Sequence, residues 1–473
     1  MLTLNGYKVA KANVPVEELR KTLTVKPYVP KVFMPNPHAI PKYKVYKESE
    51  DAMYLPKHYG IDNFGPITSS TRDVPQTHDS YWRFQGQLRT AQSAVVDSFL
   101  KPTPHDGILS LHTGGGKTVC ALYIASQLRL PTLVIVHNSF LRDQWEERVR
   151  MFLPFARVGR IQGDKCEIQD KDVVIAMLQT LSMREIPIKT FSPIGLVIVD
   201  ECHHIASEVF VQALPKITSK YMLGLSATPT RKDGLMNVAH WFLGPLLYNS
   251  DTGDKEDSGV HVEVYEYDNQ DPEFNEIIYN RQGVMFTTLM INKLTEHPGR
   301  TQWLVEILQD ILEESPERQV LVLTDRVQHT KDITAALPEG LAAILSVDVK
   351  ADKRAEFCAS KRVLVATYAM CKEGFDVPTL NTLVMATPRP DIDQIVGRIL
   401  RVEKSARTIH PLVVDIVDPQ FRRQFQERNG LYKKRNYKVS KMALSPPPPS
   451  TCPGESLATS QTLQSLLTIS RKG

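Results

Sequence analysis

The chain lacks the sequence features of membrane proteins and of disulfide-stabilised proteins. Its 473 residues contain no apolar run long enough to cross a bilayer and no signal-peptide pattern. The 6 cysteines show no paired C-x-x-C spacing, which argues against a zinc site and against a disulfide framework. We therefore expect a soluble intracellular protein of the cytoplasm or nucleus, with no membrane partner.

A strong charge bias is also absent. The formal net charge of +4 is too small to identify a nucleic-acid partner by itself. Basic and aromatic residues are nevertheless interleaved at 421–443, where Glu427 is the only acid. This composition suits a single strand and its bases, whereas a solvated helix face is the alternative. The residues concerned are Arg422, Arg423, Arg428, Lys433, Lys434, Arg435, Lys438 and Lys441, with Phe421, Phe425, Tyr432 and Tyr437.

Apolar strands alternate with helical patterns in two successive parts of the chain. This rhythm is typical of βαβ units and parallel sheets. We predict an α/β fold with two tandem domains, 81–250 and 251–420, after a small N-terminal accessory domain at 1–80. A basic extension at 421–443 and a disordered tail at 444–473, rich in Pro, Ser and Thr, should follow. The predicted strands are 107–113, 132–136, 172–177, 194–200 and 221–228, then 319–325, 341–347, 362–367, 380–386 and 411–417.

The run 111–118, LHTGGGKT, stands between a predicted buried strand and a helical pattern. Glycines in this position let backbone N–H groups surround phosphate oxygens at a helix N-terminus. Lys117 would contact the β- and γ-phosphates of ATP, and the Thr118 hydroxyl would bind Mg²⁺. The usual pattern has glycine where this chain has Leu111, and a glycine-rich turn beside a surface lysine is the alternative. The predicted binding residues are Thr113, Gly114, Gly115, Gly116, Lys117 and Thr118.

Two adjacent acids follow the continuous apolar run 194–199. An acid at the carboxyl edge of a buried parallel strand can hold Mg²⁺, and its neighbour can orient and deprotonate the attacking water. We assign Asp200 to the metal and Glu201 to the water. A solvated acidic loop is the alternative, and the apolar run argues against it. Three further residues are predicted to couple nucleotide state to the rest of the protein: His203, Ser226 and Thr228.

The segment 393–401, DQIVGRILR, has helical spacing. Gln394, Gly397, Arg398 and Arg401 stand at i, i+3, i+4 and i+7, which places them on one helix face. Arginines suit a phosphate clamp because their planar donor fork stays charged. An arginine supplied from a second domain can contribute a factor of about 10³ to 10⁵ in rate. We predict that Gln394, Arg398 and Arg401 are catalytic; a basic surface helix is the alternative.

With these motifs, the chain resembles superfamily 2 helicases of the DExH kind across 88–417. Within them it resembles the XPB/UvsW-like branch and its homologues in large DNA viruses. The resemblance implies two RecA-like domains, with ATP and Mg²⁺ as cofactors and Gln92 as the reader of the adenine. It rests further on 88–92 (LRTAQ), 133–145, 161–163, 177–180, 231–233, 319–326 and 373–376.

The resemblance also implies contacts on the nucleic-acid side. In the family the elements at 161–163 and 177–180 face nucleic acid, so Gln162, Gly163 and Thr180 are predicted contacts. Thr367 would grip a phosphate of the strand. The last two predicted residues lie at the nucleotide, where Gly374 would adjoin it and Asp376 would hold its ribose.

Together these features predict an ATP-dependent helicase or translocase that moves along a single strand, 3′ to 5′ by resemblance. DNA is favoured over RNA only through the branch resemblance, since no residue itself reads a 2′-hydroxyl. Phosphate contacts should make binding independent of base sequence. The setting would be viral transcription, repair or recombination, in the host cytoplasm, viral factory or virion, with a polymerase or repair machinery as partner and a monomeric motor. The alternatives are an RNA helicase, a clamp that remodels a polymerase complex without unwinding, and a module that binds without hydrolysis.

Overall fold

The chain forms two compact units. A computed structural model describes residues 1–442 apart from 27–41, 73, 75, 78, 113, 203–211, 228–235, 251–258, 270, 347, 373–376, 378 and 403–405. The predicted tail at 444–473 lies outside the described residues. Unit 1 comprises Met1–Asp257, Ala369–Pro378 and Ile392–Glu403, and unit 2 comprises Ser258–Tyr368, Thr379–Asp391 and Lys404–Gly473. Among the described helices, none is long and apolar enough to cross a membrane.

Unit 1 begins with a small antiparallel module. Four of its strands form a sheet in the order β1-β2-β6-β5, and β3 pairs with β4. The strands are β1 (Leu2–Thr3), β2 (Gly6–Ala10), β3 (Thr24–Val25), β4 (Tyr43–Lys44), β5 (Lys47–Glu48) and β6 (Ala52–Leu55), with the helices α1 (Val16–Thr22) and α2 (Lys57–Phe64).

The rest of unit 1 is organised by a sheet of eight described strands. The strands are β7 (Gly107–Ser110), β8 (Thr132–Val136), β9 (Val158–Gln162), β10 (Lys165–Cys166), β11 (Val173–Met177), β12 (Leu196–Val199), β13 (Tyr221–Ser226) and β14 (Leu246–Asn249). Their order is β10-β9-β11-β8-β12-β13-β7-β14, and neighbours pair in parallel except for β9 and β10. The helices are α3 (Thr90–Leu100), α4 (Lys117–Leu128), α5 (Ser139–Phe152), α6 (Leu178–Met183) and α7 (Met236–Leu243), with 3₁₀ turns at Asp79–Trp82, Ile188–Phe191 and Leu214–Lys216.

Both faces of this sheet are buried. Successive side chains of a strand point to opposite faces, and here they enter two separate hydrophobic clusters. In β12, Val197 and Val199 belong to one cluster, whereas Leu196 and Ile198 belong to the other. Continuous burial of this kind explains why the strand reads as an unbroken apolar run rather than as an alternating one.

The N-terminal module packs on one of these faces, because Met53 and Leu55 of β6 share the first cluster with Val197. Buried polar contacts reinforce this attachment. Lys57 Nζ lies 2.5 Å from Asp106 Oδ2, which also contacts His58 Nε2 at 2.8 Å. Burial would raise the pKa of Asp106, but the Lys57 ammonium and the hydrogen bond to His58 outweigh burial and hold that pKa below its usual value.

Unit 2 contains a second parallel sheet, with seven described strands in the order β17-β18-β16-β19-β20-β15-β21. The strands are β15 (His261–Glu266), β16 (Val320–Thr324), β17 (Ala342–Leu345), β18 (Val363–Thr367), β19 (Thr382–Met385), β20 (Leu412–Val417) and β21 (Lys438–Met442). The helices that follow α7 in the chain are α8 (Pro272–Asn275), α9 (Thr287–Glu296), α10 (Pro298–Glu314), α11 (Val327–Ala336), α12 (Ala351–Ser360), α13 (Tyr368–Lys372), α14 (Asp393–Val396) and α15 (Arg422–Lys434), with 3₁₀ turns at Gly397–Leu400 and Pro419–Phe421. Of these, α14, the turn Gly397–Leu400 and α13 after Tyr368 group with unit 1.

The predicted α/β fold with two parallel sheets is therefore confirmed. Each strand predicted from the apolar runs is present, although most begin or end one to three residues inside the predicted bounds. The basic extension belongs to the second sheet, because α15 leads into β21, which pairs with β15 at the edge of that sheet.

Candidate active site

Residues 111–116, the glycine loop, stand between β7 and the first turn of α4. Gly114 and Gly116 have φ angles of +87° and +83°, in the left-handed region that favours glycine. A Cβ on Gly116 would stand 2.1 Å from Gln92 Nε2, so a side chain there would displace the glutamine. Helix α4 spans 12 residues, and its first N–H groups open toward the loop. The Gly115 N–H itself donates to the His112 carbonyl at 3.0 Å, so the backbone donors offered to a phosphate here are those of the first turn of α4.

Gln92 is fixed beside this loop by two hydrogen bonds. It lies in the first turn of α3 and is buried, with 4% of its surface exposed. Its Oε1 accepts from the Arg89 backbone N–H at 2.9 Å, and its Nε2 donates to the Gly115 carbonyl at 3.3 Å. The sequence prediction placed Gln92 near the nucleotide, and the contact with Gly115 brings it to the glycine loop.

The two acids stand where β12 ends. Asp200 is buried, and its Oδ2 accepts a 2.8 Å hydrogen bond from the indole N–H of Trp145. Burial raises the pKa of Asp200 to about 6, and the adjacent Glu201 carboxylate adds to the rise. Glu201 has a φ of +47°, an uncommon backbone conformation for a residue with a side chain. The sequence analysis missed Trp145, although it stands within the resemblance segment 133–145.

The lysine and the acid pair meet at one edge of the first sheet. Lys117 Nζ lies 3.4 Å from Glu201 Oε1. Strands β12, β13 and β7 are consecutive in the sheet, so their carboxyl ends place the acids, Ser226 and the loop side by side. The buried Ser226 accepts the Leu111 backbone N–H at 3.0 Å through its carbonyl. This is the edge at which parallel sheets bind ligands.

The arginine segment differs in detail from the predicted helix. It is α-helical only at Asp393–Val396 and continues as a 3₁₀ turn at Gly397–Leu400. A 3₁₀ turn has three residues per turn, so Arg398 and Arg401 remain on one side. Gly397 is buried, whereas Gln394, Arg398 and Arg401 are half-buried.

Contacts also assign this segment to a different unit from the one expected. An arginine from a second domain was predicted, but Ile392–Glu403 groups with unit 1 although it lies in sequence between strands of the second sheet. A Cβ on Gly114 would lie 3.7 Å from the Leu400 carbonyl and 3.8 Å from the Gly397 carbonyl. Arg398 Nη2 donates to the Cys371 carbonyl at 3.1 Å. The segment therefore adjoins the glycine loop.

The three residues predicted to face nucleic acid in unit 1 form one cluster. The Gly163 N–H donates to Thr180 Oγ1 at 3.1 Å, and Gly163 has a φ of +55°. Gln162 accepts a hydrogen bond from Arg142, and Arg184 donates to the Gly163 carbonyl at 3.0 Å. The sequence analysis did not single out either arginine, since only the fold brings 142 and 184 to the same loop.

Thr367 lies in unit 2 at the carboxyl end of β18, in register with Thr324 of β16. It is half-buried. Five predicted site residues lie outside the described residues: Thr113, His203, Thr228, Gly374 and Asp376.

Part of the predicted binding surface of the basic extension is buried. Arg428 is 1% exposed and forms a bidentate ion pair with Asp415, at 2.9 and 2.8 Å. The Tyr432 hydroxyl donates to the same carboxylate at 2.7 Å, and Phe421 is also buried. For these three residues the prediction of strand contact is wrong, because they pack α15 onto β20. Arg422, Arg423, Lys433, Lys434, Lys438 and Lys441 remain exposed.

Comparisons with known proteins agree with this site. A family model described as "Type III restriction enzyme, res subunit" matches residues 85–231, which contain the glycine loop and the acid pair. The L396 protein of Acanthamoeba polyphaga mimivirus is 30% identical over 459 residues, covering 94% of this chain and 87% of that protein. The QP509L protein of African swine fever virus (isolate Pig/Kenya/KEN-50/1950) is 30% identical over 368 residues, covering 71% of this chain and 70% of that protein. Both carry the name "Putative ATP-dependent RNA helicase".

A solved structure, S. cerevisiae Dbp5 bound to RNA and ADP BeF3, superposes with a TM-score of 0.53. It is 14% identical and covers 75% of this chain and 90% of that one, so the likeness concerns the fold alone. The predicted pair of RecA-like domains is thereby confirmed. Because the mimivirus relative matches over nearly the whole chain, the chain belongs to the superfamily 2 helicases, together with these viral relatives, as an ATP-dependent enzyme of that family.

Proposed function

We propose that this helicase is a motor that couples ATP hydrolysis to movement along a single strand, with DNA as its track and a 3′ to 5′ direction. The observation that carries the proposal is the 3.4 Å approach of Lys117 to Glu201 beside the glycine loop. A cation for phosphate, a carboxylate for water and a backbone cradle thus adjoin one another, which is the set that phosphoryl transfer requires.

The residues at this edge fit ATP and Mg²⁺. Gly116 lets Gln92, the predicted adenine reader, approach the loop where a Cβ would displace it, and α4 supplies a helix N-terminus for phosphate oxygens. Asp200 is a buried carboxylate beside a second carboxylate, an arrangement that a divalent cation would stabilise. When bound, Mg²⁺-ATP supplies the phosphoanhydride bond whose hydrolysis drives the motor. Thr118 and Asp200 would hold the metal, and Gln92 the adenine.

Each side chain at this edge then has its own role in hydrolysis. Lys117 holds the phosphates, Glu201 orients the water and takes its proton, and Arg398 and Arg401 stabilise the charge that develops. The remaining assignments follow the same proposal: Gln394 acts with the arginines, Thr113, Gly114, Gly115, Gly374 and Asp376 contact the nucleotide, and His203, Ser226 and Thr228 transmit its state.

Strand contacts would come from both units. In unit 1, Gln162, Gly163 and Thr180 form one cluster, flanked by Arg142 and Arg184. In unit 2, Thr367 ends a strand at the corresponding carboxyl edge. Contacts of this kind recognise the backbone rather than the base sequence, so affinity should fall steeply with salt.

RNA is the second candidate track, favoured by the names of the viral relatives. DNA is preferred here on the branch resemblance of the motifs. We place the motor in viral DNA transactions such as transcription, repair or recombination, where a polymerase is a fitting partner. Remodelling a polymerase complex by translocation without unwinding is the alternative activity.

The test is a strand-displacement assay run beside a triplex-displacement assay, with DNA and RNA substrates in both. The proposal expects ATP-dependent displacement of DNA strands in both assays. Triplex displacement without strand displacement would favour translocation alone. Activity on RNA duplexes only would overturn the choice of DNA.

A further inference from the structure

Trp145 is a large side chain beside the acid pair to which the proposed mechanism gives no role. It lies in α5 and is 1% exposed, and its ring belongs to the same hydrophobic cluster as Val136 and Val149. Its indole N–H leaves this cluster and donates to Oδ2 of Asp200 at 2.8 Å. A buried indole N–H needs an acceptor, and here the acceptor is the proposed metal ligand.

A second donor fixes the other oxygen of the same carboxylate. The Glu201 backbone N–H donates to Asp200 Oδ1 at 3.0 Å, so each oxygen has a donor from the protein. Rotation of the carboxylate would break both hydrogen bonds. Each carboxylate oxygen has two lone pairs, so one donor per oxygen leaves acceptor capacity for a cation. The carboxylate is therefore held in one orientation while it keeps the capacity to bind a metal.

The chemistry of the indole suits a donor to a metal ligand. The indole N–H is neutral and carries no acceptor lone pair, so it neither neutralises the carboxylate nor competes with it for a cation. An arginine donor neutralises its partner, as Arg428 does for the buried Asp415 in unit 2. A hydroxyl or a neutral imidazole carries an acceptor atom that could itself bind the cation.

Helix α5 holds the indole in place through the side chains on either side of it. Arg142, three residues before Trp145, donates to Gln162. Glu146, the next residue after the tryptophan, pairs with Arg160. Both partners belong to β9, so these contacts attach α5 to the same sheet that carries the acid pair. The indole thus reaches the carboxylate from a helix that is fixed to the sheet.

We propose that Trp145 is a positioning residue that orients the Asp200 carboxylate for the divalent cation of Mg²⁺-ATP. The inference rests on the proposed function, which makes Asp200 a metal ligand. It gives the tryptophan a role beyond filling the core, because loss of the N–H should weaken metal binding even when the ring is kept. Partners that orient a metal ligand in this way contribute about 10- to 100-fold in metal affinity.

The test titrates Mn²⁺ into protein that is in excess over a non-hydrolysable ATP analogue, and reads free Mn²⁺ from its electron paramagnetic resonance signal. Two changes at position 145 are compared with wild type. The residue 3-benzothienylalanine keeps the bicyclic ring and replaces the N–H by sulfur, whereas Trp145→Phe removes the N–H and part of the ring. Both should weaken Mn²⁺ binding by about 10- to 100-fold and leave binding of a fluorescent ATP analogue in EDTA unchanged.

Two further variants show whether the effect passes through the carboxylate. Trp82→Phe is the matched control, because Trp82 lies in the same hydrophobic cluster and donates its indole N–H to Thr77. It should keep the wild-type affinity for Mn²⁺. Combining either change at position 145 with Asp200→Asn should lower that affinity no further than Asp200→Asn alone, because the tryptophan acts through this carboxylate.

Wild-type Mn²⁺ affinity of the benzothienylalanine protein would overturn the proposal, since the ring is kept and the N–H is gone. Equal weakening of Mn²⁺ binding and of nucleotide binding in EDTA, an equal loss in Trp82→Phe, or an additive loss on top of Asp200→Asn would indicate a structural effect and would also overturn it. If Asp200→Asn itself binds Mn²⁺ as wild type does, the proposed function loses its metal ligand first, and one titration series distinguishes these cases.

Discussion

Acidic residues stand at the carboxyl edges of both sheets, but the side chains that contact these acids differ. In unit 2, Asp418 follows β20 and is held by Arg300 at 2.7 Å, with both side chains fully buried. Asp325 follows β16 and lies 2.6 Å from Arg389. In unit 1, by contrast, the buried Asp200 receives a neutral indole donor, and Glu201 has a lysine at 3.4 Å. The second edge neutralises its acids with arginine, whereas the first leaves negative charge where a metal would bind.

The same architecture thus serves two purposes in the two units. Parallel sheets collect loop residues at their carboxyl ends whatever those residues do. An acid that pairs closely with an arginine stabilises the fold, whereas an acid without an arginine partner can take part in catalysis. We therefore expect variants at the first edge to change ATP turnover, and variants at the second edge to change stability or strand binding.

The largest effect should come from Glu201→Gln. The amide cannot accept the proton of water, so ATP turnover should be abolished while ATP binding is retained. Steady-state hydrolysis and equilibrium binding of a fluorescent nucleotide measure the two quantities. Glu185→Gln, at a carboxylate that is 97% exposed, is the matched control and should hydrolyse ATP normally. Near-normal turnover of the Glu201 variant would contradict its role.

Arg398→Ala should lower kcat by about 10³-fold or more and change ATP affinity only a few-fold, because the guanidinium acts on charge that develops during the reaction. The control is Arg150→Ala, at an exposed arginine of α5. Single-turnover hydrolysis beside nucleotide titration separates the two quantities. Loss of affinity without loss of kcat would instead make Arg398 a ground-state contact.

At the second edge, Asp418→Asn should destabilise unit 2 without acting on the chemistry. Removing one partner of a buried ion pair leaves Arg300 charged and unpaired, which costs about 3 to 5 kcal/mol. Hydrogen exchange of peptides from β15 and β20 measures the loss. Glu266→Gln is matched, because Glu266 ends the neighbouring strand and pairs with Lys441 at the surface. It should cost about 0 to 1 kcal/mol, and equal exchange in the two variants would refute the contrast.

The smallest effect concerns the basic residues at the carboxyl end of α15 and directly after it. Replacing Lys433, Lys434 and Arg435 by glutamine should remove up to about three phosphate contacts and flatten the salt dependence of single-strand binding by a slope of roughly 2, at about 0.7 per contact. Binding curves at several salt concentrations measure this slope. A control with Lys331, Lys350 and Lys353 neutralised should keep the wild-type slope. An unchanged slope in the first variant would make this end of the helix a solvated face.

The sequence was most informative where burial is continuous. Runs such as 196–199 predict strands because both faces of the sheet are covered, and the glycine loop and acid pair follow from the residues that end those strands. Several strands with weaker patterns were not predicted, among them β14 and β21, which lie at sheet edges where exposed residues interrupt the apolar pattern. Edge position depends on the whole sheet, which no local window contains.

The site was less predictable wherever a contact depends on distant parts of the chain. Trp145 meets Asp200 across 55 residues of sequence, and Arg184 reaches Gly163 across 21. The basic extension was misjudged for the same reason. Arg428 looked like a surface cation because its partner Asp415 stands in the apolar strand β20, and only the packing of α15 on that strand reveals the pair.

The proposed coupling of ATP hydrolysis to a nucleic-acid strand is tested by the rate of ATP hydrolysis by wild-type protein alone and with single-stranded DNA, duplex DNA or single-stranded RNA at equal nucleotide concentration. A motor that tracks a DNA strand predicts that single-stranded DNA raises kcat most. An unchanged rate with all three nucleic acids would contradict the coupling of the first edge to a strand, and stimulation by RNA alone would contradict DNA as the track.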